Sequence, residues 1–577
     1  MQLEKEFAAD AKDEHVAYFT MEVGISHNLP TYAGGLGVLA GDTLKSFADL
    51  QVPVVAVSLL NRKGYFYQKI DERGQQHELE ANWDFAQYFE KMPNQVRVKI
   101  LGKDVLVGVW RHYIHGAGGF RLPVFFLDCD LGGNSEYERT LTHYLYGGDR
   151  KYRLCQEAIL GIGGLRMLES LGYSNIKKYH MNEGHAALLT VELFRKETDG
   201  RKTDDYYDLA NVRKKCVFTT HTPVAAGHDK FDIGLFREVL GEYVPEFIID
   251  GALENGEKIN MTLMGLNSSH YVNGVAKIHG SVTRLMFPDY RIDSITNGIH
   301  TRSWAAPAFI ELFSSHIPGW GEDPYALRNA LSIPNSQVWD AHYKSKAALI
   351  DYANKQTNLG LHKDRFTIGY ARRFTEYKRP DLILSDVSWL ESVAQKVGDI
   401  QIIYAGKAHP SDYGGKEIIK KVLGISQELN SKNSKVKIAF LPDYDMSLSK
   451  MMVSGSDIWL NTPKQPREAS GTSGMKAALN GVPHFSTLDG WWLEGHIEGV
   501  TGWSIGKKPN ETNFEPVGND LEDSQDIYQK LEAEIIPMFY SDREKWTSLM
   551  KHCISINASF FNTYRMVEQY IINAYMK

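Results

Sequence analysis

The stretch EASGTSGMKAALNG, residues 468–481, sets one lysine, Lys476, just inside a predicted helix start. Ser470, Gly471, Thr472, Ser473 and Gly474 surround it. Small residues there open backbone N–H groups to an anion, and the helix dipole favours negative charge. An amine beside such an anion hole meets both needs of pyridoxal 5′-phosphate: a Schiff-base partner and a cradle for its phosphate. Small residues also begin helices that bind nothing, with a solvated lysine among them. A second cluster, YARRFTEYKRPDLI, puts Arg372, Arg373, Lys378 and Arg379 within eight residues directly after a predicted strand. Four cations so close repel one another unless anions join them; Arg grips phosphate with a fork and Lys with a point charge. A basic surface turn is the competing reading, and Pro380 as an early helical residue suits either. A third, GGLG at Gly34–Gly37, is a short glycine run before a helix. Such a run serves a phosphate site or close helix–strand packing equally well.

Two histidines complete the set, His185 in HMNEGH and His221 in FTTHTP. They suit general bases, metal ligands, or structural and substrate-contacting groups. The last is preferred, because HExxH and CxxC spacings are absent and so is a GxSxG nucleophile elbow.

These groups need strands to deliver them. Val16–Val23 reads as a strand, the glycine run leads into an apolar helix, and Val54–Leu60 reads as the next strand, which is a parallel α/β unit. The region up to about Gly118 is rich in short strands and turns and reads as an insertion or β-rich subdomain. Residues 152–171 read as a long helix, followed by two short strands that deliver His185 and His221 at their carboxyl ends, where open α/β sheets bind ligands. Farther on, strands at 365–371, 400–406, 436–442, 457–463 and 482–487 alternate with helices at 380–397, 415–429, 446–453 and 472–480. That alternation marks a doubly wound parallel sheet. Residues 542–577 read as helical.

The chain has 577 residues, 43% hydrophobic and 23% charged, with a net charge of −7. It is a globular composition without a long Lys/Arg run, so neither nucleic acid nor an anionic membrane is an expected partner. Four scattered cysteines, Cys129, Cys155, Cys216 and Cys553, read as reduced thiols. The polar start MQLEKEFAADAKDEH is no signal peptide, and no apolar run approaches a membrane span. A cytoplasmic protein is expected.

In this order the motifs resemble those of the α-glucan phosphorylases, the glycogen, starch and maltodextrin phosphorylase family, and the likeness runs over most of the chain. GGLG is followed by MNEGH at 181–185, THTP at 220–223, VNGVAKIH at 272–279 and TNGIHTRSW at 296–304. ARRFTEYKR, AGKAHPSDYGGK at 405–416, PDYDMSLSK at 442–450 and EASGTSGMK complete the series. The chain is most similar to the short bacterial and archaeal branch, whose length implies weak or absent allosteric control. The family's KRIHEYKR reads RRFTEYKR here and its GTGNMK reads GTSGMK, with no loss of a required charge.

The resemblance implies a GT-B architecture, two Rossmann-like doubly wound domains with a cleft between them. Residues 1–272 would form the N-terminal domain, with the glycine loop and the β-rich insertion. Residues 273–577 would form the cofactor- and phosphate-binding domain, the last helix packing back on the first. It implies pyridoxal 5′-phosphate held by Lys476, with Arg372, Gly35, Thr472 and Ser473 around its phosphate and Tyr444 close by. Arg373 and Lys378 would bind the substrate phosphate. His221, Asn297, Glu468, Ser470, Gly471 and the Leu36 N–H would hold the transferred glucosyl unit. The reaction implied is reversible phosphorolysis of an α-1,4-glucan or maltooligosaccharide by inorganic phosphate to glucose 1-phosphate, with retention. A homodimer is compatible with it. A nucleotide-sugar-dependent glucan synthase shares the fold and a glycine loop, and is the alternative.

Overall fold

The computed structural model describes residues 11–198, 206–432 and 434–577, so the polar start at residues 1–10 lies outside the described part. Strands covered on both faces by helices must be apolar throughout. Val54–Leu59 and Phe366–Ala371 are buried at every position.

Strands of this kind build two large sheets in a mixed α/β fold. In the first, of nine strands, neighbours in space begin at Asp293, Tyr271, Cys216, Ile176, His15, Val54, Arg121, Lys103 and Glu90. The first seven run parallel, with Val16 opposite Val54 and Met181 opposite Phe218. The last two are antiparallel. The strand-rich region expected as an insertion or β-rich subdomain is mainly an extension of this sheet, together with one hairpin, Tyr67–Ile70 and Gln76–Leu79. The second sheet has six parallel strands beginning at Val436, Ile400, Phe366, Ile458, His484 and Gly502. Numbered in chain order within that sheet, they lie 3-2-1-4-5-6. The order reverses between Phe366–Ala371 and Ile458–Asn461, and in the first sheet between His15–Phe19 and Ile176–Asn182. Such reversals open a crevice at the carboxyl ends.

Several boundaries differ from those read in the sequence. The division at 272/273 falls inside Tyr271–Gly274, a strand of the first sheet, which is complete only at Asp293–Ser294. Pro380 lies outside any helix; a single turn at Leu382–Leu384 precedes the helix Val387–Val397, whose start is set by the Asp386 side chain accepting from the Trp389 N–H. The long helix from Arg150 to Ser170 widens to a π turn at Ile159–Gly163, and the C-terminal segment breaks at Ser559–Asn562 before the helix Thr563–Tyr570. The strand Gly502–Ile505 was not expected.

The helix Gly35–Asp49 ties the two sheets together. It packs so closely under the end of the first strand that a Cβ at Gly41 would lie 1.9 Å from the Gly24 carbonyl oxygen. Its residues 42, 45 and 49 share one face, as i, i+3 and i+7 must. That face meets the segment leading to the second sheet three times. Trp304 Nε1 donates to Asp42 at 2.7 Å, Lys45 donates to Ser303 at 3.2 Å, and His300 Nε2 lies 2.8 Å from Asp49. The helix Thr563–Tyr570 returns to the first sheet, where the Tyr570 hydroxyl accepts from Asn273 Nδ2 at 3.0 Å. The hairpin reaches across to the second sheet. Gln68 donates to the Gly406 carbonyl and Gln76 to the Ala408 carbonyl, both at 2.9 Å, and the Gln68 and Asp443 side chains bond each other's backbone N–H.

Gly41→Ala is expected to destabilise the chain by about 1–3 kcal/mol or more, since backbone cannot move aside as a side-chain end can. Gly424→Ala, where a Cβ meets open space within the helix Tyr413–Ser431, is expected to stabilise by about 0.5–1 kcal/mol. Urea unfolding midpoints of the two variants check the contrast; a neutral Gly41→Ala removes the close approach.

Candidate active site

Arg372 and Arg373 follow directly from Ala371, at the carboxyl end of the strand on one side of the second sheet's reversal. Arg372 reaches across that reversal to hydrogen-bond Asn461, the last residue of the facing strand. It also forms an ion pair with Glu468, whose same oxygen takes Lys378 Nζ at 3.0 Å. All three side chains are 10–12% exposed. Burial would raise the Glu468 carboxyl, but the two cations outweigh it and hold it down at about 2. Glu468 was expected on a sugar; in this structure it is the charge that two buried cations share, because unpaired cations here would be costly. Arg379 turns elsewhere, to Asp520 and Asp523.

Arg373 is the exposed cation of the cluster and faces the glycine loop: a Cβ at Gly34 would lie 3.3 Å from its Nη2. The loop is shaped by Glu22, which accepts from the Ala33 N–H at 2.7 Å and the Gly34 N–H at 3.2 Å, and from the Tyr146 hydroxyl at 2.7 Å. Glu22 and the hydroxyls of Tyr65 and Tyr146 are among the charge-bearing groups nearest Arg373. Gly35 is exposed, and Leu36 next to it lies in the first helical turn, where N–H groups have no intrahelical partner.

Lys476 sits within the short helix Ser473–Leu479 and is 5% exposed. Its Nζ lies over the Trp304 indole, 3.7 Å from the ring centroid. Burial draws the amine down to about 8; Asp42 opposes the fall and Lys45 adds to it. Thr472, at the helix start, makes no side-chain cap, while the Ser473 hydroxyl accepts from Trp459 Nε1 at 3.1 Å. Gly471 has φ +82, which a residue with a Cβ adopts only with strain. The Tyr444 hydroxyl donates to Ser449 at 2.8 Å, and Arg372 is among the charges that act on it.

His221 and Asn297 stand at the carboxyl edge of the first sheet. His221 Nε2 lies 2.6 Å from Asn182 Oδ1, its N–H donates to Glu183 at 2.7 Å, and burial keeps the ring neutral. The Asn297 carbonyl accepts from Arg565 Nη2 at 3.0 Å. Among the described residues, no hydrogen bond or ion pair joins either one to Lys476 or to the Arg372 cluster. His185 is structural: its Nε2 accepts from the Met21 N–H at 3.1 Å. No group of side chains suited to a metal occurs among the described residues.

A set of buried polar atoms has no partner among the described residues: Arg372 Nε, Ser470 Oγ, Asn297 Oδ1 and Asp42 Oδ1. Buried polar atoms are normally satisfied. Arg372, Ser470 and Asn297 are among the residues assigned to a cofactor and a sugar, and the first two offer donors that suit a polar, anionic ligand; other unpartnered buried atoms lie elsewhere in the fold, those of Asn61 and Glu157 among them. Sequence reasoning missed Glu22, Asp42, Trp304, Asn461 and Asp489. Asp489 accepts from the Glu468 and Gly490 N–H groups, both at 2.8 Å, and burial, aided by the Glu468 charge, raises its carboxyl to about 8. Only the motifs TNGIHTRSW and GGLG carried any signal for two of these neighbours.

The chain is thus a mixed α/β protein with parallel sheets whose cations gather where the strand order reverses. Residues 246–501 match the family model described as carbohydrate phosphorylase. The chain is 38% identical to the maltodextrin phosphorylase of Thermococcus litoralis, covering 98% of this chain and 71% of that one. It is 35% identical to a glycogen phosphorylase of Mycobacterium tuberculosis, again over 98% and 71%. A glycogen phosphorylase of Aquifex aeolicus is 33% identical over 98% of this chain and 87% of its own length. The chain belongs to the carbohydrate phosphorylase family.

Glu468→Gln leaves Arg372 and Lys378 without their shared charge and is expected to destabilise by roughly 3–5 kcal/mol. Because the folded carboxyl sits below its unfolded value of about 4.3, its stabilisation is full above that pH and fades as pH falls toward 2. The variant should lose that acid limb. Added phosphate should raise its melting temperature more than that of the unaltered protein; equal rises would show that the two cations are not an open anion site.

Proposed function

We propose that this chain is an α-glucan phosphorylase, a glycosyltransferase carrying out reversible phosphorolysis of α-1,4-glucan or maltooligosaccharide to glucose 1-phosphate with retention. The observation that carries the reading is the pairing of a buried amine of lowered basicity, Lys476, with cations at the strand reversal that are answered by a single carboxylate. The names of the relatives, maltodextrin phosphorylase and glycogen phosphorylase, support the same substrates. The 3-2-1-4-5-6 order supports a Rossmann-like second domain in a GT-B pair, the first ending after Ser294 and the last helix packing back on it.

Lys476 would hold pyridoxal 5′-phosphate through its amine, with Arg372, Thr472, Ser473 and Gly35 around the phosphate and Tyr444 close by. Bound there, the cofactor would supply an acidic phosphate, a proton donor and acceptor for the substrate phosphate. Arg373, exposed beside the glycine loop, and Lys378 clamp the substrate phosphate and offset the repulsion between two phosphates. Glu468 stays ionised at neutral pH and so cannot give a proton to the glycosidic oxygen. It bridges the two cations, while Ser470, Gly471, His221, Asn297 and the Leu36 N–H present acceptors and donors to the glucosyl hydroxyls. A neutral His221 fits a hydrogen bond to a sugar rather than a charge interaction. A site so lined rejects the wrong epimer by leaving buried groups unpaired. The four free, buried cysteines accord with a cytoplasmic enzyme.

The test is phosphorolysis of a maltooligosaccharide ladder by cofactor-loaded protein, with glucose 1-phosphate measured. Lys476→Ala should lose covalent cofactor and nearly all activity. Arg373→Ala should keep the cofactor and lose about 100-fold or more in turnover. Glucosyl transfer from a nucleotide sugar, with none from glucose 1-phosphate, would overturn the reading.

A further inference from the structure

Asp42 is buried, 1% exposed, on the inner face of the helix Gly35–Asp49. A carboxylate there needs strong partners, since an uncompensated buried charge is costly. One neutral donor answers it: Trp304 Nε1 to Oδ2 at 2.7 Å, while Oδ1 has no partner among the described residues. The indole so held is the surface on which Lys476 Nζ lies, 3.7 Å from the ring centroid. Asn480 completes the unit. Its Nδ2 donates to the Trp304 carbonyl at 3.0 Å and to the Lys476 carbonyl at 2.9 Å. Trp304 and the Lys476 helix are therefore fixed to each other, and Asp42 fixes the ring. One turn farther along the same face, Lys45 is held by Ser303 at 3.2 Å.

We propose that Asp42 is the positioning residue of the cofactor lysine: its hydrogen bond orients the Trp304 ring under Lys476, and with Lys45, one turn on, it stands as an opposed pair of charges on the helix face beside that ring. The inference rests on the reading of Lys476 as the cofactor lysine. An amine attacks an aldehyde only when unprotonated, so a residue that governs its charge governs how readily the cofactor is captured. The surroundings leave the pair little competition. Of the glycine-loop helix, Asp42 and Lys45 act on Lys476 with opposite signs. On the helix Met446–Gly455, Lys450 faces Lys45. On the Trp304 segment, His300 is engaged by Asp49 and Arg302 by Glu322. On the loop before Lys476, Glu468 is engaged by Arg372 and Lys378.

The full chain, stripped of cofactor, is mixed with pyridoxal 5′-phosphate from neutral to alkaline pH. The rate of covalent capture is followed by absorbance, and borohydride trapping with peptide mapping locates the label. Asp42→Asn should move the midpoint of the rate profile down by about half a unit to one unit, Lys45→Gln should move it up by a similar amount, and Asp42→Glu should stay near the unaltered protein. A loosened pocket would not give opposite shifts for two neighbours. Unmoved midpoints with the label on Lys476 overturn the role of Asp42 and leave the cofactor reading intact. A label on another lysine overturns both. If Asp42→Asn does not fold, Trp304→Phe decides, since it keeps a ring under Lys476 but removes the donor to Asp42: slowed capture with the label still on Lys476 supports the proposal, and an unchanged rate overturns it.

Discussion

Positive charge cannot be collected in a protein interior unless something answers it. Around the second sheet's reversal, Arg372 and Lys378 share the one carboxylate of Glu468, and Arg373 opens instead toward the glycine loop. The rest of the molecule is arranged about that imbalance. Strand order brings Ala371 and Asn461 side by side, so Arg372 can span the crevice between their ends. Glu22 sets the Ala33 and Gly34 amides from the far side, and a glycine at 34 leaves room for the Arg373 guanidinium. The scaffold spends its stability holding cations ready for anions.

Holding them ready requires that the two sheets not part. Three devices oppose parting: the face of Asp42, Lys45 and Asp49 against residues 300–304, the hairpin whose Gln68 and Gln76 bond the backbone beyond Ala405, and the C-terminal helix that returns to Thr219 and Asn273. Each uses buried polar contacts, which are directional, where apolar packing alone would permit sliding.

The second sheet was legible because its strands are continuous apolar runs set between glycine, proline and charged turns. Gly502–Ile505 escaped because GWSI is short and mixed in polarity. The strand at Tyr271 and the edge strand at Asp293 escaped as members of the first sheet because membership is a matter of pairing, and Tyr271 pairs with Val217, 54 residues earlier. The lysine and the cations announced themselves through their small-residue and basic neighbours. Their partners did not. Asp42 and Trp304 are 262 positions apart. Nothing in either local pattern separates a buried acid that holds a tryptophan from an acid on a solvated helix face. Glu468 was visible as a carboxylate in a ligand loop, but its service to two cations depends on a fold that brings residue 372 beside it.

The helix Gly35–Asp49 meets Arg373 at its first turn, through the Gly34 backbone, and the Trp304 ring under Lys476 two turns later, at Asp42. At about 1.5 Å per residue that spacing is roughly 10 Å. The helix is in effect a ruler laid between Arg373 and the ring that carries Lys476. A ruler of this kind tolerates substitution of its graduations far better than a change in their number. One residue inserted between Gly35 and Asp42 would rotate every later side chain by about 100° and carry the acid off the tryptophan altogether. Side chains along this helix can thus be exchanged, while the separation of Arg373 from the Lys476 wall is frozen into the register of a single helix.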